Sequence, residues 1–574
     1  MDTYMEVMEK VMDITKIRNI HSIKKFLHKD MNSKKFSFKF LHTLFLLWMA
    51  SYAHGQTYSH HNQQNFDPIV RALYRPGINL HTSIRPYRLD QVENYFSTDS
   101  LIQRRLRKPS KKLNVFQRLI HDDFLRWESR SQGGSQMSVR VNPLFNFQLG
   151  KELDSGKKTW INTRGAMIEG ELGENLSFYV DIYENQGVYA GYMNEYIYQR
   201  GVLPGQGRVK RMHLDERDYS QSTGYLSYNA GEWINLQAGY GKNFIGDGYR
   251  SLLLSDNTYS YTYVKMTATF MKAQYVALFG QFQHIPANYL HNDDRMEYKY
   301  GAFHYLSWNI GKRFTIGLFE SVIYAAQDST GYRGIDMMYL MPLMVYRPAE
   351  HAAGSPDNMT MGINMKFIPW NAAAIYGEFV MGEFKQDEVF SGNKWWANKQ
   401  GFQLGFKNYN FLGIENLDFQ TEYNQVRPYT YSHYEAITNY GHLNQELAHP
   451  MGANFRESVS FLNYRAGRWY FTFESMIAVH GKDFDKNTSY GGDIYMPNKT
   501  SYRPYEYGHT IGQGLKTNIY NLTGSISFLI NPKNNMNIAM EIRTRNQTNS
   551  LEEISQTFLN FSLRTSLNNF YWDF

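Results

Sequence analysis

The sequence predicts an all-β fold: a transmembrane antiparallel β-barrel of about 18 strands, preceded by a small helical or irregular N-terminal segment on the periplasmic side. Three observations predict it. Apolar and polar residues alternate with a period of two from about Gln136 onward. The connections between these runs are alternately short and long. Aromatic residues make up 16% of the chain, with 45 Tyr and 37 Phe, while mean hydropathy is −0.53. That pairing suits a surface greasy on one side and polar on the other.

Composition also excludes function classes. With no cysteine among 574 residues, disulfides, thiolate catalysis and zinc–cysteine sites are ruled out. Net charge is +7, but residues 1–55 hold nine Lys/Arg against five Asp/Glu. What remains is too small to suggest nucleic acid as a partner. Within residues 1–55, Met31 opens a stretch in which Lys34, Lys35 and Lys39 precede an apolar core from Phe40 to Ala50. Ala53 and Gly55 then supply the small residues of a signal-peptidase site, so cleavage is expected before Gln56 and translation is expected to begin at Met31. A genuine long n-region is the alternative. No later stretch reaches the roughly 18 apolar residues of a membrane helix.

Residues 56–130 form the lead-in. Leu101–Arg118 carries Arg104, Arg105, Arg107, Lys108, Lys111, Lys112 and Arg118 without an acid, and Val115–Trp127 has the spacing of a short amphipathic helix. The run reads as a solvated basic face with a docking helix, or as an anion site. The segment is expected in the periplasm.

Residues 131–574 are read as the barrel. Leu176, Phe178, Val180 and Ile182 alternate with Ser177, Tyr179, Asp181 and Tyr183, and the pattern recurs in Leu417–Asn424, Trp469–Glu474, Leu522–Ile530 and Asn537–Arg543. Eight tight connections are placed at Gly173–Asn175, Ala230–Glu232, Met271–Lys272, Gly311–Lys312, Ile368–Trp370, Leu412–Gly413, Ala466–Arg468 and Asn531–Lys533. Long ones lie between them, notably Gly187–Gln221, Gly241–Tyr259, Tyr324–Asp357, Lys385–Lys399, Val426–Asn454 and Gly481–Leu515. A soluble sandwich has no such bias, whereas an outer-membrane barrel has periplasmic turns on one rim and surface loops on the other. Lipid admits strands only in a closed sheet. Leu559, Phe561, Leu563 and Leu567 form a last apolar face, and the chain stops on Phe574, an aromatic end similar to the signal read by the outer-membrane assembly machinery.

Within the barrel, Gly239–Asp256 reads GYGKNFIGDGYRSLLLSD. Its glycines at 239, 241, 246 and 248 forbid a regular element, so a compact loop carries Lys242, Asp247 and Arg250 beside the apolar Leu252–Leu254. A charged tip beside an apolar run predicts a loop folded back into an interior. The glycine spacing fits neither a dinucleotide fingerprint nor a P-loop. Core packing and a functional role both remain open for it.

GYGKNFIGDGYRSLLLSDN (Gly239–Asn257) and LHTSIRPY (Leu80–Tyr87) resemble the capsule-assembly Wzi-like outer-membrane proteins, most closely the Bacteroidota branch that includes the gliding-motility protein RemB. The resemblance runs from about residue 70 to the end. It implies an 18-stranded barrel plugged by the N-terminal segment and largely closed outside by loops. It also implies a surface lectin that holds capsular polysaccharide or exopolysaccharide, or that supports gliding motility, with gliding or secretion machinery as further partners. Lys242, Asp247, Arg250, Ser255 and Asp256 are the residues of the motif loop singled out by the resemblance.

Sugars are gripped by aromatic faces and a few fixed polar groups. The expected ligand-binding residues are Trp395, Trp396, Tyr429, Tyr431 and Arg427, with Tyr434, Arg333, Arg347 and Lys394 also on long loops. The Trp pair could instead belong to an aromatic girdle, and the cations could simply be solvated. Met337, Met338, Met341 and Met344 are expected to cap the lumen. No catalytic residue, metal or cofactor is expected: no G-x-S-x-G elbow occurs, and the HLDERD stretch at His213 lacks the second histidine of a zinc motif. Lumenal Asp418, Glu422 and Glu474 read as solvating groups rather than a glycosidase pair. A polysaccharide-binding barrel is therefore the first expectation and a diffusion pore the alternative. Outer-membrane lipid and surface polysaccharide are the expected partners.

Overall fold

A strand of alternating character must hide one row of side chains, and here the hidden row is the polar one. Along Leu176–Val188, Val180 and Ile182 are 48% and 60% exposed, whereas Asp181 and Tyr183 are each 2% exposed. Water would drive the opposite arrangement, so the apolar wall faces lipid. The computed structural model describes residues 71–574 apart from 72, 73, 75, 79, 89–112, 131–135, 174, 212–214, 287–295, 329, 330, 344–356, 384, 566 and 568–570. The expected N-terminal extension and signal peptide, the basic run ahead of Arg118, Met344 and Arg347 lie outside the described residues.

Eighteen antiparallel strands close the barrel. They are β1 Gln136–Glu152, β2 Lys158–Leu172, β3 Leu176–Val188, β4 Glu216–Asn229, β5 Ile234–Gly241, β6 Tyr261–Phe270, β7 Ala273–His284, β8 Glu297–Ile310 and β9 Phe314–Ala325. The second half continues with β10 Asn358–Phe367, β11 Ala373–Met381, β12 Gln400–Tyr409, β13 Leu417–Val426, β14 Phe455–Ala466, β15 Trp469–Lys482, β16 Leu515–Asn531, β17 Met536–Thr548 and β18 Glu553–Arg564. All eight tight connections read from the sequence fall between consecutive strands at one rim. The other rim carries the long loops, together with the shorter links 153–157, 285–296 and 549–552. β18 closes on β1 from Phe558↔Glu152 to Arg564↔Asn146. Beyond that point Leu125–Arg130 pairs with the start of β1, covering an edge that β18 leaves open.

Aromatic pairs ring the outside near the short turns. Trp233 lies 5.3 Å from Phe270, Trp370 6.4 Å from Phe406 and Trp469 5.0 Å from Phe528. Such a girdle marks a membrane–water boundary.

Four expectations need correction. The helix α1 spans only Val115–His121, and Trp127 belongs to the strand Leu125–Arg130. Asn531 donates to the carbonyls of Leu119 and Asp122 (both 2.9 Å), which ends the helix where the chain must enter the sheet. The terminal aromatics do not end a strand: β18 stops at Arg564, and Tyr571 and Asp573 are buried in the lumen. Leu567 likewise packs with Leu144, Met167 and Tyr183 inside rather than with Phe561 outside. The methionine-rich loop lies on the outer wall, because Tyr339 and Met338 pack on outward-facing Ala302, Val322 and Met359.

Candidate functional site

The lumen is filled by the chain itself, and the two motif segments meet there. Ile84 pairs with Ile245 and Arg85 with Phe244 in a two-residue antiparallel ladder. The Arg85 guanidinium sits 3.6 Å from the Phe244 ring centroid and donates to the Gly248 carbonyl at 2.6 Å. The lead-in reaches this point from the short-turn rim, where the Gly77 amide donates to the Lys312 carbonyl at 2.9 Å.

Charged residues of the glycine loop are all spent on internal partners. Asp247 accepts from Ser83 Oγ at 2.9 Å, from Asn364 Nδ2 at 3.1 Å and from the Thr82 hydroxyl, with Lys366 Nζ 3.5 Å away. Burial pushes its carboxyl up, but Lys366, those hydrogen bonds and Lys407 outweigh it and hold the pKa at about 2. Lys242 donates to the Gly205 carbonyl at 2.9 Å, and burial lowers its pKa to about 8. Arg250 is 1% exposed and donates to Glu457 Oε1 at 2.9 Å and Asp573 Oδ2 at 2.8 Å, between the rings of Tyr249 and Tyr571. Asp256 accepts from Tyr571 Oη at 2.6 Å, and the Ser255 amide donates to the Leu447 carbonyl at 2.7 Å. These residues form a structural lock.

A second loop presses on the first. Tyr431 and Tyr440 donate to the carbonyls of Leu252 and Leu253 at 2.6 and 2.5 Å, while Glu378 accepts from the Leu252 amide at 2.7 Å. Leu252–Leu254 are fully buried as a result. Tyr431 thus belongs to the lumen packing, away from the long-loop rim where a surface ligand would arrive. Loop 427–454 folds inward, a direction that its residue types do not reveal.

On the long-loop rim, the remaining candidates gather. Trp395 and Trp396 follow the short helix α3, Gln386–Phe390, and lie edge to face at 5.9 Å. Both indole N–H groups donate to Glu506 Oε1, at 2.9 and 2.8 Å. Arg503 stands 3.8 Å from the Trp396 ring centroid and 3.0 Å from Glu506, and Tyr429 meets Trp396 at 90° from below. Arg427 donates to the carbonyls of Asn398 (2.8 Å) and Trp395 (3.2 Å), so it positions the Trp loop instead of standing free for an anion. Tyr505 and Tyr507 extend the patch, with Tyr507 Oη donating to Glu388 at 3.3 Å. Tyr434 is exposed nearby, its ring 4.4 Å from Lys499 Nζ. Arg333 is elsewhere, paired with Asp336 and Asp357 on the outer wall. Glu506, Arg503, Tyr505 and Tyr507 were not singled out in the sequence. The spacing of the two tyrosines in RPYEYGH, within a loop too long for a turn, was the available signal.

Among solved structures, the fold is similar to Wzi of Escherichia coli, an outer-membrane protein involved in group 1 capsule assembly and described as a carbohydrate-binding β-barrel. The TM-score is 0.51 at 12% identity, covering 89% of this chain and 100% of that one. OprD of Pseudomonas aeruginosa aligns with a TM-score of 0.41 at 10% identity over 76% of this chain and 95% of its own. OccAB2 of Acinetobacter baumannii gives 0.40 at 9% identity, over 75% and 97%. No family model matches the sequence, and no curated protein matches it. At these identities the likeness shows the fold alone.

Proposed function

We propose that this chain is an outer-membrane barrel that holds a surface polysaccharide on its long-loop rim, with that rim facing the medium. The observation that carries the proposal is the Trp395–Trp396 pair, whose N–H groups share one carboxylate of Glu506. A charge-assisted bond on each indole fixes both rings before any ligand arrives, so little ordering entropy is lost on binding. Trp395, Tyr505 and Tyr507 then offer apolar faces to sugar C–H groups, and Glu506 and Glu388 offer hydroxyl partners beside them. Packing of Leu252–Leu254 and Arg250 across the lumen favours an anchor over a diffusion pore. The carbohydrate-binding description of Wzi supports the same choice. Capsule assembly and gliding motility of the RemB kind are two settings in which such an anchor could work.

The experiment is retention of polymer at the cell surface in a gene deletion complemented with Trp395→Ala or Glu506→Ala. Polymer shed into the medium by both variants, with the barrel still folded and present, is the expected result. Full retention by both would remove the rim patch from the binding site. Planar-bilayer recording tests the pore alternative, and a stable large conductance from the intact chain would favour it.

A further inference from the structure

A barrel wall facing lipid needs no cover, yet one stretch of this wall has one. After β9 the chain turns outward as a two-residue hairpin, Gln327–Asp328 with Gly331–Tyr332, and a 3-10 turn at Met337–Leu340. Tyr339 is buried on the outer wall, its ring 5.0 Å from that of Tyr324 and packed with Ala302 and Val322. Yet Tyr332, Ile335, Met337, Met341 and Leu343 on the same flap are all largely exposed, Tyr332 and Met337 at 78% and 77%. An apolar row of this size left in water is costly unless something covers it.

The height of the flap says what does. Tyr324 pairs with Tyr300 across β8 and β9, and Trp308 marks the short-turn end of β8. Strands tilted as in such barrels climb about 2.5 Å per residue along the axis, which sets Tyr300 about 20 Å above Trp308. That is within the roughly 25 Å apolar band. The flap is also finished for a medium without water. The amides of Arg333 and Gly334 donate to the Ala326 carbonyl at 2.9 and 3.0 Å, the Asp336 amide to Tyr324 Oη at 3.3 Å and the Met338 amide to Asp336 Oδ1 at 2.9 Å. The Arg333 charge is matched by Asp336 at 2.6 Å and Asp357 at 2.9 Å. Pairing of backbone groups and charges is what hydrocarbon demands of any segment it touches.

We infer that the flap segment Gly331–Leu343 is a membrane-docking element, whose row Tyr332, Ile335, Met337, Met341 and Leu343 inserts among the acyl chains of the leaflet at the long-loop end. It makes that side of the barrel thicker than the rest. Just below it, His304 Nδ1 and Glu320 Oε1 lie 3.0 Å apart at outward-facing positions, buried beside Tyr275 and Phe279. The flap thus adjoins a polar pair on this part of the wall.

Because the chain has no cysteine, Met337→Cys and Met341→Cys each give a single labelling site. In the full chain reconstituted into phosphatidylcholine bilayers, a nitroxide at either position is tested for collision with oxygen, which concentrates in hydrocarbon, and with a water-soluble nickel chelate. Leu404→Cys, on the exposed outer face of β12, and Leu551→Cys, on a rim link, serve as lipid and water references. Positions 337 and 341 are expected to match 404, with an oxygen-to-nickel ratio several-fold above that at 551. A ratio like that of 551 overturns the inference. Protection from both reagents also overturns it, and would mean that a second copy covers the row. Heat-modifiable mobility on gels checks that each variant is folded. Failure here would leave the rim site untouched, since polymer retention depends on neither outcome.

Discussion

Arg250 shows what single residues do in this lumen. Its guanidinium is fully buried between two carboxylates, Glu457 and Asp573, and a charge in such a place persists only because each partner neutralises it. Arg250→Ala leaves both carboxylates buried and short of a cation, which should cost about 3–5 kcal/mol and lower the unfolding midpoint in detergent. Asp247 makes a pH-dependent contribution of definite sign. Its folded pKa of about 2 lies below the usual value of about 3.9, so its stabilisation is complete above pH 4 and is lost as pH falls through 2. Asp247→Asn should therefore unfold more easily than the parent at pH 6, with the difference shrinking towards pH 2; a constant difference would mean that the charge is not what matters. Lys242, Asp247 and Arg250 were legible as an inward-folded tip because dense glycine bars regular structure and a neighbouring Leu run needs burial. Glu506 was not, since a lone carboxylate in a long loop carries no pattern until the two indoles that it binds are brought to it by other strands.

Elements were readable where periodicity and turn chemistry agreed. Eight tight connections, many holding Gly, Asn or Lys, fixed the strand count because each reverses the chain where a period-two run ends. The side on which a loop folds was not readable. Tyr431 turned inward and Met338 turned onto the outer wall, though both sit in long, mixed-character loops. The deciding partners, Leu252 for one and Tyr324 for the other, are distant in sequence. The glycine loop tests how tightly an element is seated. Gly246 has φ of 149°, and a Cβ there would run into the Glu378 carboxylate and the Phe244 ring. Gly246→Ala should destabilise the loop by about 1–3 kcal/mol. Limited proteolysis should then cut near residues 242–260 in a barrel that still migrates as folded, and unchanged protection would show that the loop has room to spare.

For the whole molecule, closure depends on four pieces of chain entering one lumen: the lead-in at Arg85, the glycine loop, the inward-folded loop 427–454 and the C-terminal tail. The tail is the least expected, because the last strand has already ended. Trp572 packs edge to face on Tyr189 at 6.2 Å, Phe574 lies 5.1 Å from Tyr196, and the Phe574 main-chain oxygen accepts from Arg545 at 3.1 Å. These contacts join the tail to α2, Gly191–Arg200, as well as to Arg250. A chain stopped after residue 570 keeps every β18–β1 pair, so the barrel should still form when refolded from urea into detergent micelles. It loses the aromatic packing beneath α2 and one of the two carboxylates on Arg250, while Glu457 still holds that guanidinium and the glycine loop stays seated. Water should then reach the side of the lumen under α2, and a small steady conductance should develop in planar bilayers where the full chain is silent. If the shortened chain is as silent as the parent, the lead-in and the two inward-folded loops make the seal without the tail. If it refolds but fails to reach the membrane in cells, the terminal aromatic also acts before folding, when the tail is still outside the barrel and free to be read.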